Sequence, residues 1–151
     1  MTVVVRPAGA DDLPGVLRLL ADLPVTTGEG DSFEVDEQRA EVVWERVLSQ
    51  EGRTVLVAMD GLAIVGAADL LVVQNLTHDL APWAIIENVA VAPSDRRKGV
   101  GRALVDEAVG IARDAGCYKV QLLSFKDRLE AHEFYRSLGF EDLAVGFRIY
   151  F

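Results

Sequence analysis

The sequence contains one cysteine, Cys117, in 151 residues. A single cysteine can form neither an internal disulfide nor a cysteine-ligated metal cluster. The chain also lacks a run of about 18 apolar residues, the length that a membrane-spanning helix needs. Its first residues, MTVVVRPAGADDL, show neither the basic start nor the apolar core of a signal peptide. These absences argue against a membrane partner and make the cytoplasm the expected location.

Basic residues are few, since 15 Lys and Arg stand against 24 Asp and Glu and give a net charge of −9. This balance argues against a nucleic-acid partner, which needs a basic surface. Positive charge is nevertheless concentrated in one short stretch, residues 95–102. A charge run alone is usually a solvated turn. The glycines within this one favour a discrete anionic ligand.

Hydrophobic residues make up 50% of the chain, enough for one sizeable core. No repeat, low-complexity segment or linker divides the sequence, so we predict a single domain over residues 1–151. The predicted strands are 2–6, 54–59, 63–73, 83–91, 118–125, 140–143 and 147–151. A first predicted helix is capped by Asp11 or Asp12. Three further predicted helices cover 36–49, 101–115 and 129–138. We expect an α+β (three-layer α/β) fold whose mixed, mostly antiparallel sheet has about seven strands and about four flanking helices.

The segment Glu87–Leu104, ENVAVAPSDRRKGVGRAL, carries the most chemistry. A strand enters a glycine-containing turn that opens a helix, and the first turn of a helix offers unpaired N–H groups and a positive dipole end to an anion. Gly99 and Gly101 let the backbone approach a phosphate without an intervening Cβ. The pattern favours a diphosphate. It is neither the P-loop nor the dinucleotide fingerprint, because the P-loop string is missing and Leu104 stands where the third glycine belongs.

Two segments together resemble a known family. Arg96-x-x-Gly99-x-Gly101, following the strand 89–91, looks like the acetyl-CoA signature of the GNAT family of N-acetyltransferases. Residues 131–140, AHEFYRSLGF, resemble the A-x-x-FY-x-x-LGF segment of the same family. The resemblance covers the chain in the order of its elements and residues 83–140 in motif detail. It implies the GNAT fold and an acetyl-CoA-dependent N-acetyltransferase.

The resemblance also implies where acetyl-CoA binds. In this family, the backbone of the strand before the signature pairs with the pantetheine arm, and the turn after it holds the diphosphate. The matching residues here are Val89, Ala90 and Val91 for the arm, and Arg96, Arg97, Lys98, Gly99, Val100, Gly101 and Arg102 for the diphosphate. Arg128 stands where many relatives carry an asparagine that contacts the arm. An arginine cannot accept a hydrogen bond as an amide does, so that contact is open, although Arg128 could reach a phosphate.

Two residues are candidates for the chemistry. The resemblance gives Tyr135 the role of the general acid that protonates the departing thiolate of the coenzyme, and it places this side chain against the cofactor. Glu87 is the candidate general base for the acceptor amine. Glu87 precedes Val89 by two residues, and on a regular strand this spacing puts both side chains on one face. The alternatives are a core aromatic for Tyr135 and a paired structural carboxylate for Glu87.

The acceptor is expected to be the primary amine of a small molecule, with selectivity set by the loops 24–35 and 74–83 and by the last strands. A protein N-terminus or lysine is the alternative acceptor, and a non-catalytic acyl-CoA-binding sensor is the alternative of another class. We expect no metal, because His78 and His132 lie on separate segments without ligand spacing. Members of the family are often dimers, and the apolar C-terminal sequence GFRIYF could join an interface.

Overall fold

The computed structural model describes residues 3–21, 23 and 35–151. The chain divides into two compact units, residues 1–121 and residues 122–151, which are described in turn. Its strands are β1 (Val4–Pro7), β2 (Arg53–Asp60), β3 (Ala63–Val73), β4 (Trp83–Val91) and β5 (Val120–Leu122). Its α-helices are α1 (Leu13–Ala21), α2 (Glu37–Ser49), α3 (Val100–Asp114) and α4 (Leu129–Ser137). Two short 3₁₀ turns, Ala10–Asp12 and Pro93–Asp95, precede α1 and α3.

The five strands form one sheet in the order β1-β2-β3-β4-β5. The first four are joined by antiparallel ladders, in which Val4 lies opposite Met59, Arg53 opposite Leu71 and Val73 opposite Trp83. Next to β5, the backbone N–H of Ala84 donates to the carbonyl of Lys119, and that of Tyr118 donates to the carbonyl of Pro82. These bonds advance in the same direction along both segments, as in a parallel pair. The mixed, mostly antiparallel sheet is therefore confirmed.

One face of the sheet packs against α1 and α2. Val16 of α1 and Trp44 of α2 form a buried cluster with Val55 and Val57 of β2. The helix α2 begins where the sequence predicts, because Asp36 caps it and accepts a hydrogen bond from the backbone N–H of Arg39 at 2.9 Å.

A carboxylate also shapes the entry to α1. Asp12 does not cap α1 but ends the preceding 3₁₀ turn, and α1 itself begins at Leu13. The Asp12 carboxylate accepts hydrogen bonds from both Nη atoms of Arg6, at 2.7 and 2.9 Å, and from the backbone N–H of Gly9 at 2.7 Å. The hydrogen bond from Arg6 is the main cause that holds the pKa of Asp12 below its usual value.

The other face of the sheet packs against α3. The buried residues of α3 recur at helical spacing, namely Val100, Leu104, Val105, Ala108 and Ala112. At Gly66 of β3, an added Cβ would lie 2.7 Å from Cγ1 of Val100 and 2.9 Å from Cδ1 of Leu104. The start of α3 therefore rests on a point of the sheet that has no room for a side chain.

The unit 122–151 contains α4, which ends at Ser137 and is followed, after Leu138, by Gly139 in the left-handed conformation with φ 89°. The predicted strands 140–143 and 147–151 are wrong, because the structure assigns neither segment to a strand. The described residues thus hold five strands rather than about seven. Residues 141–151 are all exposed, and a strand-like sequence needs a neighbouring backbone to form a ladder. No helix among the described residues is long and apolar enough to cross a membrane.

Candidate active site

The strand β4 contains a β-bulge at its middle. Asp69 of β3 lies opposite Glu87 and Ala67 lies opposite Ala90, so two steps on β3 correspond to three on β4. Asn88, inside the bulge, has φ 52°, a conformation that asparagine tolerates better than most residues. Because the extra residue interrupts the alternation, Glu87 shares a face with Ala90. The prediction that Glu87 and Val89 share a face is therefore wrong.

A partly buried ion pair, in which Asp69 is buried and Arg53 is half-buried, lies beside the bulge. Nε of Arg53 donates to Oδ1 of Asp69 at 2.9 Å, and Nη2 of Arg53 donates to Oδ2. The amide of Asn88 also donates to Oδ2 of Asp69, at 3.4 Å. The hydrogen bond to Asp69 raises the pKa of Arg53, so this guanidinium stays charged. The group ties the bulge to β3 and neutralises the carboxylate opposite Glu87.

Sequence reasoning did not single out Arg53, Asp69 or Asn88. A signal was available in AIVGAADLLVV, where one aspartate interrupts an apolar strand and must find a partner. Its partner lies 16 residues away on another strand, so only the register of β2 and β3 reveals the pair.

A cavity of about 410 Å³ opens between α1, α2 and the sheet. Its polar lining residues are Asp36, Arg39, Arg53, Asp69 and Asn88. Its apolar lining residues are Leu13, Val16, Leu17, Leu20, Val35, Ala40, Val43, Trp44, Val47, Val55, Ala67 and Ala68. The cavity reaches β4 at Asn88, the residue next to Glu87, although Glu87 itself is absent from this lining.

The turn between β4 and α3 has the conformation that an anion site needs. Arg97 has φ 63°, and Gly99, the N-cap of α3, has φ 87°. A Cβ at Gly99 would meet no atom within 4 Å, so glycine is required here by its conformation and not by space. The helix starts at Val100, one residue earlier than predicted. The first N–H groups of an α-helix have no intrahelical acceptors, so the start of α3 can offer them to an anion.

Charged side chains surround this turn. Exposed cations are contributed by Arg96, Arg97, Lys98 and Arg102. Nε of Arg96 donates to the carbonyl of Val91 at 3.3 Å, and Lys98 pairs with Asp95 at 3.0 Å. Hydrogen bonds from Ser94 and then from Lys98 hold the pKa of Asp95 below its usual value. The predicted diphosphate residues 96–102 thus span an exposed, mainly cationic turn and the first residues of α3, among which Val100 is buried.

The second unit carries the remaining predicted residues. Tyr135 is half-buried on α4, and its ring lies 5.1 Å from that of Phe134 and 6.0 Å from that of Phe140. His132 forms a hydrogen bond of 2.8 Å between Nε2 and the carbonyl of Phe125. Arg128 is exposed at the N-cap of α4.

The surroundings of His78 and Cys117 are also defined. His78 stacks on Tyr118 with 3.9 Å between ring centroids. Cys117 is half-buried, and burial raises the pKa of its thiol, which disfavours the thiolate. In the part of the chain that the structure describes, no three His, Cys, Asp or Glu side chains form a group that could hold a metal ion. Residues 24–34 of the first predicted acceptor loop lie outside the described residues.

A known protein family matches most of the chain. The model of the Acetyltransferase (GNAT) family matches residues 17–140, a range that includes the bulge, the turn before α3 and α4. The chain belongs to the GNAT acetyltransferase family. This confirms the resemblance drawn from the two sequence motifs.

Individual GNAT relatives match different shares of the chain. A glucosamine 6-phosphate N-acetyltransferase of Trypanosoma brucei brucei is 42% identical over 77 residues, which are 51% of this chain and 50% of that protein. An aminoglycoside N(6')-acetyltransferase type 1 of Stenotrophomonas maltophilia is 30% identical over 108 residues, 68% of each chain. The match thus spans only half the length of the trypanosomal relative.

A solved structure extends the likeness to nearly the whole chain. It belongs to a provisionally named acetyltransferase from Agrobacterium tumefaciens str. C58, which is 39% identical and has a TM-score of 0.89. The match covers 97% of this chain and 99% of that one. The GNAT fold of the present chain is therefore shown over nearly its full length.

Proposed function

We propose that this protein is an acetyl-CoA-dependent N-acetyltransferase that acts on the primary amine of a small molecule. The observation that carries the proposal is the turn between β4 and α3, where Arg97 and Gly99 adopt left-handed conformations and cations surround the N-terminus of a helix. A diphosphate fits such a turn, and the coenzyme contains one. Because the family match spans both compact units, we infer one GNAT domain over residues 1–151. A cytoplasmic location stays a prediction.

The reaction is a direct transfer within a ternary complex. The nitrogen of the deprotonated acceptor attacks the thioester carbonyl carbon, the C–N bond forms, the C–S bond breaks, and the coenzyme leaves as a thiolate. Glu87 accepts the proton of the acceptor ammonium, directly or through water. Tyr135 donates its phenolic proton to the thiolate, and the second proton that the acceptor nitrogen loses on becoming an amide returns, through solvent, to the phenolate. The products are the N-acetyl amide, the free thiol of the coenzyme and one proton released to solvent when both side chains are restored.

The remaining candidate residues bind the coenzyme. The backbone of Val89–Val91 would pair with the amides of the pantetheine arm, since the carbonyls and N–H groups of a strand suit an extended chain. Residues 96–102 would bind the diphosphate, and Arg128 would add a charge contact to a phosphate.

Several observations favour this activity over the alternatives. The named relatives act on glucosamine 6-phosphate and on aminoglycosides, which supports a small molecule over a protein N-terminus or lysine. A non-catalytic sensor has no need of a carboxylate or a phenol at the positions of Glu87 and Tyr135, and both are present.

We also propose a homodimer that uses the C-terminal segment. Apolar side chains occupy every second position from 143 to 151 and are highly exposed, namely Leu143, Val145, Phe147, Ile149 and Phe151. This spacing is typical of a strand that presents one apolar face. Light scattering of the purified protein tests the proposal, and a monomeric mass at micromolar concentration would overturn it.

The decisive experiment is calorimetric titration with acetyl-CoA. Gly101→Trp places a large side chain in the first turn of α3 and should abolish binding. Gly110→Trp is the matched control, because it lies on the same helix, where a Cβ meets no atom within 4 Å. Thiol release with a panel of amines then tests transfer. Absence of acetyl-CoA binding by the folded wild-type protein would overturn the proposed function.

A further inference from the structure

The cavity beside β4 has a strongly uneven polarity. Its walls, formed by α1 and α2, are apolar, and they include Val16, Val43 and Trp44. Its polar end lies on the sheet at Arg53, Asp69 and Asn88. Volumes of a few hundred Å³ with apolar walls and a few convergent polar groups are typical of small-molecule sites.

The charges of the cavity lining cancel. The described lining holds two arginines, Arg39 and Arg53, and two aspartates, Asp36 and Asp69. Arg53 is engaged by Asp69 and by Gln50, and the carboxylate of Asp36 caps α2. A phosphate needs several uncommitted cationic donors, and a sugar needs many hydrogen-bond partners. The described lining offers few uncommitted cationic donors and few hydrogen-bond partners.

The polar end of the cavity lies next to the candidate base. Asp69 is the direct cross-strand neighbour of Glu87, and the Cβ atoms of such pairs are about 4.5–5.5 Å apart. Asn88 follows Glu87 in the chain and lines the cavity. A molecule whose body fills the cavity would therefore bring its sheet-facing end close to Glu87.

We propose that this cavity holds the body of the acceptor and that the acceptor is a primary amine carrying an apolar alkyl or aryl group. This inference rests on the proposed function. The apolar group lies between α1 and α2, and the amine points to the sheet beside Glu87. Apolar walls disfavour the ammonium form and lower the pKa of the amine. The neutral nucleophile that the transfer requires is thereby favoured.

The lining itself supplies a reporter of binding. Trp44 lines the cavity and is 7% exposed, and the chain has two tryptophans. Trp83→Phe leaves Trp44 as the sole tryptophan. Titration of this variant with 2-phenylethylamine should give a saturable change in emission, whereas glucosamine 6-phosphate should give none. In acetyl transfer, the wild-type protein should use 2-phenylethylamine with the higher kcat/KM.

A matched pair of variants on α2 localises the effect. Val43 and Val42 are adjacent valines with 47% and 49% exposure, and only Val43 lines the cavity. Val43→Asn should weaken 2-phenylethylamine binding about three- to tenfold, as expected for the loss of part of an apolar contact. Val42→Asn, with the same change in helix propensity, should leave the affinity unchanged.

Distinct results separate the two proposals. If acetyl-CoA binds and amines are acetylated but Trp44 emission does not respond, the cavity proposal is wrong and the acetyltransferase stands. A preference for glucosamine 6-phosphate, or equal effects of the two asparagine variants, also overturns the cavity proposal. If Trp44 responds but acetyl-CoA does not bind, the proposed function fails, and the acceptor role of the cavity fails with it.

Discussion

Asp69 on β3 lies directly opposite Glu87 on β4, so that two carboxyl groups occupy one cross-strand pair. Like charges in this position destabilise a sheet. Arg53, on the next strand, forms two hydrogen bonds with Asp69. Its positive charge offsets the repulsion between the two carboxyl groups. Three neighbouring strands therefore contribute to this arrangement, because Arg53 of β2 pairs with Asp69 of β3, and Asp69 lies opposite Glu87 of β4 beside the bulge.

Removal of Arg53 should destabilise the fold. Arg53→Met leaves the Asp69 carboxylate buried without its cation, which costs on the order of 3 kcal/mol of unfolding free energy. Arg53→Met combined with Asp69→Leu should recover much of this loss, because a buried ion pair can be replaced by apolar groups at little cost. Urea denaturation measures the unfolding free energy of the single and of the double variant. Equal stability of the single variant and the wild type would contradict the prediction.

The bulge residue should tolerate glycine better than valine. Asn88 has φ 52°, which a β-branched residue adopts only with strain of about 1–2 kcal/mol. Asn88→Val should therefore lower the denaturation midpoint clearly more than Asn88→Gly, which loses only the hydrogen bond to Asp69. If the two variants are equally stable, the bulge does not impose the left-handed conformation.

Substitutions of Glu87 and Tyr135 should lower the turnover number more than they weaken acetyl-CoA binding. Glu87→Gln removes the proton acceptor and should lower kcat by about 10²-fold or more, the usual contribution of a positioned base. Tyr135→Phe should lower kcat less, because a thiolate is already a fair leaving group. Steady-state kinetics with calorimetric titration of acetyl-CoA separates the effects. A Glu87→Gln variant with wild-type kcat would return this carboxylate to a structural role.

Asp12 should make the fold sensitive to acid. Its pKa in the folded protein is lowered mainly by the hydrogen bond from Arg6, so the folded state favours the carboxylate. This contribution is present above the unfolded pKa of about 3.9 and is lost as the pH falls through the lower folded value. Thermal unfolding between pH 7 and 2 should show a smaller acid-dependent loss for Asp12→Asn. If the melting temperatures of the wild type and of Asp12→Asn fall equally with pH, this assignment is wrong.

Local signals predicted much of this fold and site. The range of β3, the range of β4 and the cap at Asp36 agree with the sequence because alternation, hairpin residues and capping act over a few positions. The turn at residues 96–102 is equally local. The bulge at Asn88 and the Arg53–Asp69 pair depend on which strands become neighbours, so no short window contains them. The two C-terminal strands were predicted from composition alone, without a neighbour to pair with.

The proposed coenzyme site depends on Gly66, a residue outside the proposed ligand contacts. It sets how closely α3 approaches the sheet, and Val100, which rests on it, is also the first residue after the turn at Gly99. Even a methyl group there would press on the first turn of α3, where the proposed diphosphate contacts lie. In a mutational scan, Gly66 should group with the diphosphate residues through loss of acetyl-CoA binding, although it lies buried on the strand beneath them.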